Sequence, residues 1–595
     1  MIARRVLAQA AALVALAAAA AACVSMPDSG PVNQADVVRV EDNTQQITNE
    51  VLGPVPGEGP SEIVQGFYAA MLAYPRTSDT ARLFLTPRAA EEWDPDDRLY
   101  VYDAIDFVPV SIARQGVSEI QVDPSVIGSL DARGSWTTAA GVAADADASD
   151  RAALRSRQVD GEWRITNPRP GTYVDADFFA RFYEPYSLYF FDPTRTILAA
   201  DPVYLPIGDT TATALVSDLL RGPTADLQGA VYSAAPSGTK VDVGVSVSDT
   251  GVAEVPLTPE VLKLSPADRQ LFAAQLTWTL RQLPQVEEVA VSVDGADLAI
   301  ENLDTPFDVE SFAGYDPAGL SGERRLFALA PGGLSTVMDG QVSPVLGPIR
   351  EVRGGRYAAV QTSGQLAAVV EQSGTSVVVG AVPAQTESGN STWFEGADPL
   401  IRPSWDAQEV LWVVANTPSG ARIHTVVADR ARLVQRAPGL AGQQIVAFAV
   451  SRDGVRLAAI VDDAGTRRLL LSTIVRDPAD PTKATIDRTH EIANATIRLT
   501  GYRDLAWVSP TALAVLAQEP GDDRAEPYAV AIDGSDTESA GGFLPLAPVS
   551  LAASPNSDTP IAVGTRSGQL FVQTPDLQWP AIDTQVRLRS PVYPG

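Results

Sequence analysis

The chain is poor in several residue types on which protein chemistry often relies. Its 595 residues include one cysteine, Cys23, and two histidines, His424 and His490. One thiol cannot form an intramolecular disulfide, and one Cys with two His cannot assemble a structural zinc cluster. Lysine is also scarce, with only Lys240, Lys263 and Lys483; arginine carries the rest of the basic charge, a pattern of base composition rather than of chemistry. Positive charge is in deficit overall: 44 Lys+Arg against 73 Asp+Glu leave a formal net charge of −29. A polyanion repels such a chain, which excludes general DNA or RNA binding. Enzyme signatures are missing as well. No G-x-S-x-G elbow, P-loop, G-x-G-x-x-G or H-E-x-x-H occurs, so neither a catalytic residue nor a cofactor or metal site is assigned.

The single cysteine gains meaning from its position. Arg4-Arg5 is followed by an apolar run from Val6 to Ala22, the layout of a secretory signal. An Ala-rich run of this length is a poor transmembrane span, which needs ~20 apolar residues. The run ends Ala20-Ala21-Ala22-Cys23-Val24. Small residues before a lone cysteine match the bacterial lipobox, with Ala where Leu is commoner at its first position. The chain is then cleaved between Ala22 and Cys23, and Cys23 carries S-diacylglycerol and an N-acyl group. An ordinary signal peptide with an incidental cysteine is the alternative. Residues 1–22 are thus read as a lipoprotein signal and 23–58 as a tether. Pro27 to Pro31 open that tether, and Pro54, Pro56, Gly57 and Gly59 close it. The expected location is the extracytoplasmic face of the cell membrane, by a lipid anchor.

A length of 595 residues corresponds to about four domains at ~150 residues each. Residues 59–187 read as an α+β domain. Ser61 is a plausible N-cap, Ile63, Phe67 and Met71 form a helical stripe, and a second helix is expected over 78–85. Strands are expected over 99–110, 119–127, 135–143 and 162–166. The closing Gly161-Glu-Trp-Arg-Ile165 strand resembles cone-shaped nuclear transport factor 2-like domains, in which a pocket can lie inside the cone.

Residues 188–305 carry a helix over 213–220 that stops at Gly222-Pro223. Alternating Val241, Val243, Val245 and Val247 then predict a strand, with 251–257 returning beside it. Ser265-Pro266 opens a second helix with Phe272, Leu276, Thr279, Leu280 and Leu283 inward. Val289, Val291 and Val293 lead to Asp294-Gly295. The order L-x-x-G-P, P-x-G, Q-L-T-W-T-L, L-P-x-V, V-D-G resembles the GerMN domain.

After a linker over 306–321, residues 322–595 show short strands between turns, in repeats centred on Ser363, Ser404, Ser451, Ser509 and Ser554. A period of ~40–50 residues suits four-stranded propeller blades, five to seven of them, with an Ala-rich inner strand after each serine turn. A pair of β-sandwiches is the alternative.

In this order the features resemble the LpqB family of actinobacterial lipoproteins. The resemblance rests also on Tyr189-Phe-Phe-Asp-Pro193, Gln275-Leu-Thr-Trp278 and Leu400-Ile-Arg-Pro-Ser-Trp405. It implies a non-catalytic accessory of the MtrA–MtrB two-component system, acting on the extracytoplasmic part of the sensor kinase and affecting envelope homeostasis and cell division. A peptidoglycan or cell-wall glycan binder is the alternative, with Trp393, Trp405, Trp412 and Trp507 as candidate sugar platforms. Other candidates have plainer readings. His424 and His490 lie in strand-like stretches. Asp145-Ala-Asp147-Ala-Ser149-Asp150 lacks the Gly and Glu of a calcium loop, and Glu91–Asp97 is an exposed acidic turn.

Overall fold

Pro60 fixes a helical φ at the first position of the helix Pro60–Ala70, and the Gly59 amide donates to Glu62 Oε2 at 2.7 Å. The cap is therefore Gly59 rather than Ser61. Ile63, Val64, Phe67 and Tyr68 are buried by this helix against a sheet ordered Glu162–Ile165, Leu154–Val159, Val117–Leu130, Leu99–Arg114, Thr172–Asp175. These elements come from a computed structural model that describes residues 48–595, except 115, 146–151, 320–323, 339, 385–388, 429 and 494–495. Cys23, the signal and most of the tether lie outside the described residues, as does most of the Asp145–Asp150 stretch.

Aromatic rings make up much of the core between the helix Pro60–Ala70 and the N-terminal sheet. Phe67 meets Trp93 at 5.2 Å, and Tyr68 meets Phe107 and Tyr173 at 5.7 and 5.4 Å, all edge-on. Trp93 donates its indole N–H to the Arg169 carbonyl at 2.9 Å. The strand expected over 135–143 is a correction: only Trp136–Thr138 is extended, and Ala139–Asp145 turns helical. Alanine is the strongest helix former, and here it outweighs the alternation. The end of the tether is docked rather than loose. Asn49 and Tyr74 exchange backbone hydrogen bonds at 2.8 and 3.0 Å, and the Gly57 amide donates to Glu162 at 3.0 Å.

The middle domain pairs Tyr183–Phe191 with Leu198–Pro206 and packs the helices Thr211–Arg221 and Pro266–Leu280 against a small sheet. In that sheet Val252–Leu257 and Glu288–Val293 run parallel on either side of the helical crossover. The Q-L-T-W-T-L motif is explained by a helix buried on every face from Leu271 to Leu280. Its polar groups are all bonded: Gln275 takes the Ala234 amide and donates to the Tyr189 carbonyl, both at 2.7 Å, and Thr277 donates to Ala273 at 2.8 Å. The strand expected over Val241–Val247 shrinks to Ser246–Val247 and one bridge from Val241 to Leu257. The Thr213 hydroxyl takes the Val245 amide at 2.8 Å, and Val243 is left 73% exposed. Within the 306–321 stretch, Phe307 and Phe312 are buried on this domain.

The C-terminal part is a six-bladed propeller. Blade one contains Gln341–Pro344, Gly333–Met338 and Leu326–Ala330, closed by Arg589–Val592 as its innermost strand. Blades two to five have four strands each, beginning at Tyr357, Ser404, Gln444 and Thr500; blade six has three, beginning at Pro548. The serine repeats mark blades two to six, with each innermost strand preceding its turn or, in blades three and five, containing the serine. The Ala-rich strand is therefore the second from the channel, not the innermost. It is sandwiched between neighbouring blades, as in Leu457–Val461, where every side chain is fully buried. Small side chains at Ala458 and Ala459 let adjacent sheets nest.

Asn49–Gly595 form one compact unit. Gly134 shows how close the first two domains lie: its φ is +75°, its carbonyl accepts the Tyr204 amide at 2.7 Å, and a Cβ there would lie 2.3 Å from the Tyr204 carbonyl oxygen.

Candidate functional site

Two places concentrate polar side chains that the apolar pattern does not explain: the propeller channel and the seam between the propeller and the middle domain. The channel is lined by short residues of the inner strands, among them Ala359, Ser404, Ala449, Ala506 and Ala552. Arg402 reaches across it from blade three. Its guanidinium donates to the carbonyls of Leu551 and Leu505, both at 2.9 Å, and to Asp504 at 2.5 Å. Asp504 also accepts the amides of Leu551 and Leu505 at 2.7 and 3.0 Å. Burial pushes the Asp504 carboxyl up, and Arg402 opposes that shift.

Tyr593, Pro594 and Gly595 enter the same channel, where the Gly595 amide donates to the Val360 carbonyl at 3.0 Å. Arg452 donates to the carbonyls of Pro594 and Ala318 at 2.8 and 2.6 Å, and burial lowers its guanidinium to about 10. What remains is a cavity of about 60 Å³, space for a few water molecules. The channel acid is engaged by the arginine strut, so the arrangement braces blades three, five and six against one another.

A second buried pair joins blades three and four. Asp406 and Arg476 meet at 2.5 Å with side chains 0% and 2% exposed. Asp406 also accepts the Trp412 indole N–H at 2.7 Å and the amides of Gln408 and Val410 at 3.0 Å.

The seam is equally polar. Arg456 donates to the Ala200 carbonyl at 2.6 Å, Thr473 to the Asp226 carbonyl at 2.8 Å, and Gln408 to the Asp192 carboxylate at 3.1 Å. Tyr204 donates to Ser535 at 2.6 Å, and Val455 of the propeller packs with Ala199 and Leu227. All three domains meet around a void of about 20 Å³ lined by Trp136, Asp201, Thr224, Arg456, His490 and Asp533. Burial raises the carboxyls of Asp201 and Asp533 above their ordinary 3.8.

That shift fixes a sign. Below the ordinary carboxylate value both groups are protonated whether or not the domains are docked, and burial carries no charge penalty. As pH rises through the raised values the docked state alone holds back ionisation, so docking weakens. Amide exchange over residues 224–230, corrected for intrinsic rate, should therefore rise as pH climbs from the ordinary carboxylate range toward the raised values, and Asp533→Asn should flatten the rise. Corrected rates that are level or fall with pH would contradict this electrostatic account.

The residues singled out by sequence are scattered. His424 lies in blade three, 5.0 Å from the Phe394 ring, with Nδ1 unpartnered among the described residues and its pKa lowered by burial. His490 lies in blade four and borders the seam void. Trp405 and Trp412 are fully buried; Trp507 is 5% exposed; Trp393 packs on Trp405 at 5.6 Å. Trp405, Trp412 and Trp507 serve blade packing, and Trp393 is half-buried. The acidic turn is exposed, with Asp96 paired to Arg76 at 2.7 Å and Glu92 to Arg88 at 2.8 Å. Among the described residues no three ligating side chains cluster to hold a metal ion, and no helix is long and apolar enough to cross a membrane. The struts Arg402–Asp504 and Asp406–Arg476 were not read from the sequence. Their signal was charge inside apolar strand patterns, as in Leu400-Ile-Arg402-Pro-Ser-Trp405 and Tyr502-Arg-Asp504-Leu-Ala-Trp507.

Comparisons with known proteins give a consistent picture. Family models described as "Lipoprotein LpqB, N-terminal domain", "Sporulation and spore germination" and "Lipoprotein LpqB beta-propeller domain" match residues 53–180, 187–299 and 332–594. Lipoprotein LpqB of Thermobifida fusca is 27% identical, with 98% of this chain and 97% of the relative covered. Lipoprotein LpqB of Streptomyces coelicolor is 29% identical over 97% and 96%. Among solved structures, the first GerMN domain of GerM from Bacillus subtilis is 23% identical, covering 21% of this chain and 94% of that one (TM-score 0.18). TolB from Acinetobacter baumannii is 12% identical, covering 56% and 86% (TM-score 0.32).

Proposed function

We propose that this chain, a member of the LpqB family of lipoproteins, is a non-catalytic accessory protein held at the outer face of the cell membrane through acylated Cys23. Its partner in this reading is the extracytoplasmic part of a sensor kinase, that of the MtrA–MtrB system by family resemblance, with effects on envelope homeostasis and cell division. The observation that supports it most is the near-full-length relationship to lipoproteins of that name, with the modules in the same order. The packing supports it too. Buried struts and a bonded seam fix three domains as one body, which suits a protein that offers surfaces to another macromolecule. A tether between Cys23 and Asn49 keeps those surfaces near the bilayer and raises their effective concentration toward an integral partner.

The test is photo-crosslinking in intact membranes from exposed positions on each domain: Val108, Val243 and Phe543, which are 52%, 73% and 70% exposed. A photoreactive residue at one or more of them should yield an adduct containing the sensor kinase's extracytoplasmic part. No kinase adduct from any position, with the protein present at its normal level, would remove the reading.

A further inference from the structure

The strand Leu99–Arg114 is longer than the sheet that shelters it. Its outer neighbour, Thr172–Asp175, pairs in parallel only from Leu99 to Tyr102 and then turns into the helix Ala176–Phe182. From Asp103 to Val110 the strand has, among the described residues, a partner on one side only, Val117–Leu130. Such an edge leaves alternate backbone N–H and C=O groups without a ladder partner.

The two faces of this stretch differ. Ile105 and Phe107 point inward onto the aromatic core. Asp106 and Val108 alternate with them, and Val108 and Val110 are 52% and 58% exposed. In the register Asp106 stands directly opposite Asp123. Like charges placed across a ladder destabilise it. Asp123 accepts only a Gln121 side-chain amide, at 2.8 Å, and neither carboxylate has a cationic partner among the described residues.

We propose that the open edge from Asp103 to Val110 takes up an extended segment of a partner protein by strand addition, and that this segment carries alternating basic and apolar side chains. Backbone pairing supplies the register, Val108 and Val110 supply apolar contact, and Asp106 with Asp123 selects the basic residues. A second copy of this chain does not fit, because edge-to-edge pairing would set Asp against Asp between bodies of net charge −29. Pro109 and the aspartates guard the edge against self-association while leaving it open to a cationic strand. The proposal rests on the reading of the chain as a binding accessory and names the surface used.

The test uses the full chain and a short synthetic peptide of alternating arginine and valine, carbonyl-labelled, at physiological salt. Fluorescence anisotropy should show saturable binding, and isotope-edited infrared should place the bound peptide carbonyls in the β-sheet band. Asp106→Lys should weaken binding by about tenfold or more, the scale of losing a complementary charge. Asp249→Lys, an equal charge change at an exposed turn of the middle domain, should change it less than about twofold, as expected of screened charge at a distance. Val108→Lys provides a second edge variant should Asp106→Lys fold poorly. Equal losses at positions 106 and 249, a bound peptide without the sheet band, or no binding would overturn the proposal. Kinase adducts from Val243 or Phe543 alongside a failed peptide test would remove the edge and leave the accessory reading in place. A successful peptide test with no kinase adduct from any position would do the reverse.

Discussion

Asp406→Ala should lower the unfolding free energy of the propeller by about 3–5 kcal/mol and its midpoint by roughly 10 °C, the range for breaking a buried ion pair on one side. The substitution leaves the Arg476 guanidinium, 2% exposed, without its anion. It also removes the acceptor for the Trp412 indole and for two backbone amides. Those donors are buried away from bulk solvent, so the cost comes mainly from stranded groups rather than from a lost attraction. The double variant Asp406→Leu/Arg476→Met should recover part of the loss, because it removes the uncompensated charge yet still leaves the Trp412 and amide donors unpaired. Thermal and urea unfolding of the single and double variants check both statements. A loss below about 1 kcal/mol for Asp406→Ala, the level of a surface pair, would show that the strut is not what holds blades three and four together.

Cys23→Ala should abolish lipid attachment altogether. Two acyl chains at ~0.8 kcal/mol per buried CH₂ make an anchor that does not exchange, whereas one chain alone binds reversibly. No other residue can substitute, since the chain has no second thiol. Fractionation alone is a poor readout, because an uncleaved Val6–Ala22 run can itself hold the precursor at the bilayer. Incorporation of labelled palmitate and the mass of the N-terminal peptide separate the cases. The wild-type chain should begin at an acylated Cys23, and the variant should carry no label and retain residues 1–22. Equal palmitate incorporation in the variant would eliminate Cys23 as the modified residue.

Local chemistry explains what was legible in advance. Ser265-Pro266 caps and starts a helix wherever it stands, and the Ser265 hydroxyl does accept the Asp268 amide at 3.1 Å. Repeated serine turns between apolar strands reported blades because each blade is built from contacts close in sequence. The same local rules failed where a distant group intervened. Alternation over Val241–Val247 reads as a strand, but the Thr213 hydroxyl takes an amide that the ladder would have used. Likewise an Ala-rich strand after a serine turn reads as a channel strand, whereas it is the close approach of neighbouring blades that demands small side chains.

The sequence by itself determined the modules and their order, since helix caps, turn residues and strand periodicity act within a few residues of one another. Tertiary structure alone decided that the propeller has six blades closed by Arg589–Val592. It also set Arg402 against Asp504 across the channel, bonded the seam to the middle domain and left the edge beyond Tyr102 open. These features join residues separated by long stretches of chain. Whether two charges become a buried strut, or a strand becomes an edge, depends on which surfaces meet after the modules have formed, and no local pattern encodes that meeting.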